Sequence, residues 1–125
     1  MKKFMLLVAM VMAFTAYASA QYPNSKSSSS YYHSSVTEER VLANSTDTYS
    51  EVFVADVNVV VYVEGDGDTD LDLYIYDESG NLIDSDTDNT DKCYFEWTPR
   101  WRGKFTIKIK NLGSVYNAYT MYVLQ

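Results

Sequence analysis

The nine residues GKFTIKIKN, 103–111, decide the fold. Phe105, Ile107 and Ile109 fall on one side of an extended chain, and Thr106, Lys108 and Lys110 on the other. An apolar–polar period of two is the signature of a strand with one buried face. The same period runs outward through the rest of the chain. In VNVVVYVEG (57–65), Val57, Val59, Val61 and Val63 share a face, while Asn58, Val60, Tyr62 and Glu64 take the opposite one. In DLDLYIYD (70–77), Leu71, Leu73 and Ile75 point inward, with Asp70, Asp72, Tyr74 and Tyr76 outward. KCYFEW (92–97) alternates Cys93, Phe95 and Trp97 with Tyr94 and Glu96, and NAYTMYVLQ (117–125) turns Tyr119, Met121 and Val123 inward. A further strand is expected over about 48–55, with a short one at Val41–Asn44 before it. Turn residues separate these runs: Asp77–Asn81 as a short hairpin, Thr98–Pro99 with Gly103 as a corner, and Asn111–Ser114 as a third turn. No segment after residue 36 carries a helical period. The chain therefore reads as all-β, an antiparallel jelly-roll-like β-sandwich of about seven to eight strands. Its predicted core is Val59, Val61, Leu71, Leu73, Ile75, Phe95, Phe105, Ile107, Ile109, Tyr119 and Met121.

What precedes the strands is of a different kind. Residues 1–20 begin with Lys2 and Lys3, continue through an apolar run and end in Ala18-Ser19-Ala20. This is the pattern of a cleaved secretory signal peptide. The run is too short for a membrane-spanning helix, so no membrane insertion is expected after cleavage and the protein is expected to be secreted or periplasmic. Residues 21–36, QYPNSKSSSSYYHSSV, read as a flexible Ser-rich arm that contains the only histidine, His33. A mobile histidine beside no fixed acid or nucleophile does not make a catalyst. The sandwich proper is then 37–125. Loss of Lys2 and Lys3 with the signal leaves 8 Lys and Arg against 17 Asp and Glu, a net charge of −9. That charge argues against nucleic acid as a partner. The lone Cys93 has no partner for an internal disulfide and reads as a small buried apolar residue of its strand.

GDTDLDLYIYD (67–77) followed by SGNLI (79–83), then FEWTPRWRGKFTIKIKN (95–111) and the closing YNAYTMYVL (116–124), resemble, in this order, the elements of bacterial pre-peptidase C-terminal domains. The resemblance covers most of 41–125. It implies a jelly-roll-like sandwich of the kind appended to secreted proteases and other hydrolases, linked to export, to processing, and to binding of collagen or polysaccharide. The clostridial collagen-binding domains are similar in fold and use calcium. By that likeness Glu38 and Glu39 are nominated as further carboxylates. No enzyme-sized segment precedes the module in this sequence, so the sandwich itself is expected to be the working unit.

From Glu64 to Asp91 every charged side chain is acidic. The spacing is not that of a helix–loop–helix calcium motif, because Leu71 stands where the loop requires glycine and no helix flanks it. Alternate residues of a strand lie about 6.5 Å apart, so aspartates on one straight strand cannot surround an ion. Convergence needs a curl, for which Gly65 and Gly67 are placed, and a second acidic segment returning beside it. Asp66, Asp68 and Asp70 are accordingly the candidate metal ligands with Asp86 and Asp88, and Ca²⁺ is the expected ion. The competing reading makes them solvated turn and edge residues that keep strands from pairing with other chains.

Trp101, between Arg100 and Arg102 in the PRWRGK corner, and the outward Tyr74 and Tyr76 are the candidate ligand-binding residues. Exposed Trp and Arg serve as interface anchors. The alternatives are that Trp101 caps the core and that the tyrosines only pack across strands; Tyr62 is expected beside Tyr74 or Tyr76 if their strands pair. No Ser/His/Asp set and no zinc-type cluster is present in the sequence. The expected function is a non-catalytic, exported binding or accessory module for a polysaccharide or an extracellular or envelope protein. The alternatives are a structural component of the cell envelope and, more distantly, a glycoside-active enzyme using an aspartate pair.

Overall fold

A computed structural model describes residues 34–125. Residues 1–33, on which the expected signal peptide, most of the expected arm and His33 fall, lie outside the described residues. Eight strands follow in order: β1 (Ser34–Val41), β2 (Thr46–Phe53), β3 (Val59–Glu64), β4 (Leu71–Tyr76), β5 (Leu82–Asp86), β6 (Lys92–Trp97), β7 (Gly103–Asn111) and β8 (Asn117–Leu124). They form two four-stranded antiparallel sheets, β1-β8-β3-β6 and β2-β7-β4-β5. This strand order is the jelly roll. Every connection except the β4–β5 hairpin crosses from one sheet to the other, so the loops collect at two ends. Loops 42–45, 65–70, 87–91 and 112–116 share one end; loops 54–58, 77–81 and 98–102 share the other.

The alternation places the core as expected. All eleven predicted core residues are buried, joined by Val41, Phe53, Val63, Cys93 and Val123. The two central strands of each sheet, β8 with β3 and β7 with β4, supply most of these side chains, and Trp97 closes one end by packing edge-on against Phe105 at 4.6 Å. Cys93 is fully buried and its thiol donates to the Leu71 carbonyl at 3.1 Å. Burial, reinforced by the neighbouring Asp86 and Asp88, pushes that thiol far up from its ordinary pKa.

Four expectations need correction. Residues 34–36, assigned to the flexible arm, belong to β1, paired in register with β8 from Ser34↔Leu124 onward. An edge strand is held by its backbone ladder, so it needs no apolar alternation to declare itself. Only Val41 of the expected Val41–Asn44 strand is in a strand; Leu42–Ser45 make the turn into β2, with Asn44 at φ 52°. Val57 lies in the β2–β3 loop and is half-buried, not in the core face. Tyr62 and Val60 point to the outer face of their sheet and are buried there nonetheless. Tyr62 is flanked in register by Tyr122 of β8 and Tyr94 of β6 and stacks on Tyr122 at 5.9 Å. It does not neighbour Tyr74 or Tyr76, because β3 and β4 lie in different sheets.

At the β1/β2 margin the inward positions turn polar, and a hydrogen-bonded cluster takes the place of hydrocarbon. The Tyr119 hydroxyl donates to Asp47 at 2.7 Å and also pairs with the Tyr49 hydroxyl. Burial, followed by these hydrogen bonds, drives the Tyr119 phenol far upward in pKa. At the opposite margin the Asp86 carboxylate of β5 accepts from the backbone N–H of Tyr94 in β6 at 2.9 Å. A side chain of one sheet thus blunts the edge of the other. Ile107, central in β7 and fully buried, is the cleanest probe of the core. Ile107→Ala is expected to cost about 2–5 kcal/mol, read as a lower denaturant midpoint with the slope unchanged.

Candidate functional site

Four loops meet at the acidic end, and two buried asparagines stitch them. Asn111, the last residue of β7, has no exposed surface. Its amide donates to the carbonyls of Val41 (3.3 Å), Leu42 (3.2 Å) and Val115 (2.8 Å), and its oxygen accepts from Gly113 N–H at 2.9 Å. Asn117, the first residue of β8 and equally buried, donates to the Thr69 carbonyl (3.2 Å) and to the Asp91 carboxylate (3.1 Å), and accepts from Asp66 N–H at 3.1 Å. One asparagine ties loop 42–45 to loop 112–116; the other ties loop 65–70 to Asp91. The curl falls where the glycines stand. Gly67 has φ 91°, and a Cβ at Gly65 would lie 2.3 Å from the Asp91 carboxylate, which reaches past it to accept from Gly67 N–H at 2.5 Å.

The candidate metal ligands occupy this end in three different ways. Asp66 accepts from Asp68 N–H (3.0 Å) and from Ala118 N–H (2.8 Å), so it caps its own loop and the start of β8. Asp86 holds the β6 edge, and Asp88 accepts from Thr90 N–H at 2.9 Å and its hydroxyl at 2.8 Å. Asp68 stands exposed. Asp70 differs: its Oδ1 is buried and accepts no hydrogen bond, as is Oδ1 of Asp72, an outward-facing residue that is only 5% exposed. The second oxygen of Asp72 accepts from the Tyr74 hydroxyl at 3.1 Å. Loop 87–91 returns beside loop 65–70, as the hairpin argument required, and Asp70 feels Asp72, Asp88 and Asp91. Among the described residues no three carboxylate, histidine or cysteine side chains are grouped closely enough to hold an ion between them.

Desolvation first, and then repulsion from Asp72, Asp88 and Asp91, raises the Asp70 pKa above the ordinary aspartate value. A carboxylate whose folded-state pKa lies above its unfolded value costs stability while ionised. That cost is fully present above the folded pKa and is relieved as pH falls through it. Asp70→Asn is therefore expected to melt higher than wild type at pH 7 in chelator, with the gap narrowing on acidification toward the carboxylate range. A variant that melts lower at pH 7 would show the ionised carboxylate to be stabilising.

The candidate ligand residues lie at the opposite end. Trp101 is 40% exposed, yet its ring is held by Trp97 (6.4 Å, edge-on) and Phe105 (5.8 Å). Arg100 and Arg102 beside it are exposed. Tyr74 and Tyr76 stack on each other at 6.4 Å on the outer face of their sheet, and the Lys108 ammonium sits 5.1 Å from the Tyr76 ring centre. Tyr76, Glu78, Lys104, Thr106 and Lys108 line a shallow open depression there. A Cβ at Gly103 would lie 2.9 Å from both the Glu78 carboxylate and the Trp101 indole nitrogen. The hairpin turn and the Trp101 corner therefore adjoin, bringing Tyr76 and Trp101 to one end, while Tyr74 lies further along β4.

No family model matches the sequence, and no curated protein matches it. Solved structures do match in three dimensions. Aeromonas hydrophila PliG, a periplasmic lysozyme inhibitor of g-type lysozyme, superposes with a TM-score of 0.60 at 14% identity, over 80% of this chain and 93% of that one. The pre-peptidase C-terminal domain of a Bacillus anthracis collagenase gives 0.56 at 16% identity, over 71% and 87%. The Yersinia pseudotuberculosis-derived mitogen gives 0.61 at 10%, over 74% and 85%. At these identities the likeness is one of fold. The chain shares its fold with a pre-peptidase C-terminal domain.

Sequence reasoning did not single out Asn111 and Asn117, and it counted Asp91 only among the carboxylates of the acidic stretch, not as one of the residues that build this end. The only trace available was position: an asparagine at each boundary of the β7–β8 turn, where a solvated polar residue and a buried clamp look alike in a single sequence.

Proposed function

We propose that this chain is an exported, non-catalytic β-sandwich of pre-peptidase C-terminal type that binds a protein partner outside the cytoplasm. The observation that carries the reading is Trp101: a large aromatic ring, 40% exposed, pinned by Trp97 and Phe105 and flanked by two exposed arginines. A ring already fixed by its neighbours loses little conformational freedom on binding, and arginines beside it orient carboxylate or hydroxyl groups of a ligand. Tyr74 and Tyr76 form a second candidate contact. Their faces are in part taken up by each other and by Lys108, which suits a protein surface better than the flat stacking of a sugar ring. The signal-like N-terminus supports export, and the likeness in fold to a periplasmic inhibitor of g-type lysozyme supports a protein as partner.

The test is an array of extracytoplasmic proteins, collagen peptides and glycans, probed with wild type, Trp101→Ala and Tyr74→Ala/Tyr76→Ala. The expected result is binding to a protein that Trp101→Ala weakens by about tenfold or more, the effect of a hot-spot residue. Binding to glycans alone, or protein binding untouched in both folded variants, would contradict the reading.

Calcium belongs to the proposal as a stabiliser. The buried, unpartnered Oδ1 atoms of Asp70 and Asp72 are the groups a cation would relieve, with Asp68 exposed nearby and Asp66, Asp86 and Asp88 engaged by donors of the loops and of the β6 edge. Two carboxylates are fewer than calcium commonly takes, so waters and backbone oxygens would complete the shell, and affinity is expected in the range of about 10⁻⁴–10⁻³ M typical of extracellular modules. Thermal melts in calcium and in chelator should differ, and Asp72→Asn should shrink the difference. A hundredfold excess over Kd corresponds to about 2.7 kcal/mol. Coincident melts would return these aspartates to turn and edge roles.

A further inference from the structure

The acidic end carries a second feature that neither Trp101 nor calcium explains. Four large apolar side chains stand exposed on two of its loops: Leu42 (66%), Leu112 (45%), Val115 (51%) and Tyr116 (47%). In a turn, polar residues would fill these positions at no structural cost, and clustered exposed apolar groups mark interaction sites. The two loops behave as one body. Asn111 bonds the carbonyls of Leu42 and Val115, its backbone N–H donates to Ser45 carbonyl at 2.9 Å, and Asn44 N–H donates to Gly113 carbonyl at 3.0 Å. The ridge is thus built before any partner arrives, which lowers the entropy cost of docking.

What adjoins the ridge selects the partner. Leu112 N–H donates to the Asp70 carbonyl at 3.0 Å, so the ridge abuts loop 65–70, and loop 87–91 lies beyond it. These two loops contribute Asp66, Asp68, Asp70, Asp88 and Asp91, and none of the four loops at this end contains Lys or Arg. Cations stand only at the margins of this end: the Arg40 guanidinium lies over the Tyr116 ring at 5.1 Å, Lys92 at the start of β6 pairs with Glu64 at 3.7 Å, and Lys110 stands in register with Asp72. A second copy docking by the same end would set these acids face to face, and an anionic lipid surface would be repelled. We infer that this end is a docking surface for a cationic protein: the Leu42–Val115 ridge enters an apolar recess, and the flanking aspartates meet basic groups on its rim. Complementary charge of this kind steers encounter and fixes orientation. The surface is independent of the Trp101 corner, which lies at the other end of the sandwich.

The test is surface plasmon resonance of the protein over three cationic proteins (g-type lysozyme, c-type lysozyme and cytochrome c), with serum albumin as anionic control. Phosphatidylcholine vesicles with and without phosphatidylserine form a second arm, and sedimentation of the protein alone a third. The expected result is saturable binding to at least one cationic protein, weakened about tenfold or more by Leu42→Ser/Val115→Ser and by Asp68→Lys, weakened by salt, and unchanged in Trp101→Ala. The substituted side chains are exposed, so in chelator the variants should melt as wild type does. Cationic-protein binding that the end-loop variants leave intact and Trp101→Ala abolishes would overturn this inference while supporting the proposed function. Absence of binding to all three cationic proteins would overturn it too, as would vesicle binding or self-association that depends on Leu42 and Val115.

Discussion

Two buried side-chain amides hold the acidic end of this protein together. A jelly roll sends almost every connection across from one sheet to the other, so its loops cannot rely on the short backbone ladders of hairpins. Asn111 and Asn117 replace those ladders. Each is fully buried, and between them they satisfy backbone groups of loops 42–45, 65–70 and 112–116 together with the Asp91 carboxylate. Leaving one buried polar group unpaired costs about 1–3 kcal/mol, so either amide constrains its loops far more strongly than surface contacts would. The curl of loop 65–70, with Gly65 packed under the Asp91 carboxylate, follows from the same clamp.

The two ends of the sandwich are chemically unlike. One presents a pinned tryptophan among Arg100, Arg102 and Lys104; the other joins an apolar ridge to five aspartates. The second carries an electrostatic cost. Asp70 and Asp72 each keep a buried oxygen without a donor, a state that a low-dielectric surrounding makes costly. A cation, or a cationic partner, bound at that end would reduce that cost, and the proposed binding would then be coupled to the stability of the loops themselves.

The core was legible because the central strands alternate strictly. Phe105, Ile107 and Ile109, or Leu71, Leu73 and Ile75, allow only one choice of buried face. The margins were not legible, for two physical reasons. In β1 the inward positions before Val41 are Ser35, Thr37 and Glu39, so the strand carries no apolar stripe and is held through its ladder with β8. On the outer face of the β1-β8-β3-β6 sheet, Tyr62 is covered by its cross-strand tyrosines, and alternation predicts direction but not cover. At the site, the approach of the two acidic loops could be deduced from hairpin geometry. The distribution of their carboxylates among caps, edge protection and unpaired burial could not, because it depends on which backbone N–H lies in reach.

Backbone hydrogen exchange at Asn44 and Gly113 tests the claim that Asn111 makes the loop end rigid. These amides donate to Gly113 carbonyl and to Asn111 Oδ1, in loops otherwise open to solvent. The account predicts slowed exchange at both in the wild-type protein. In Asn111→Ala the protection should be lost at both amides while the β7 core amides, such as that of Ile107, remain slow. Exchange at unprotected-chain rates in wild type, or protection that survives Asn111→Ala, would contradict it.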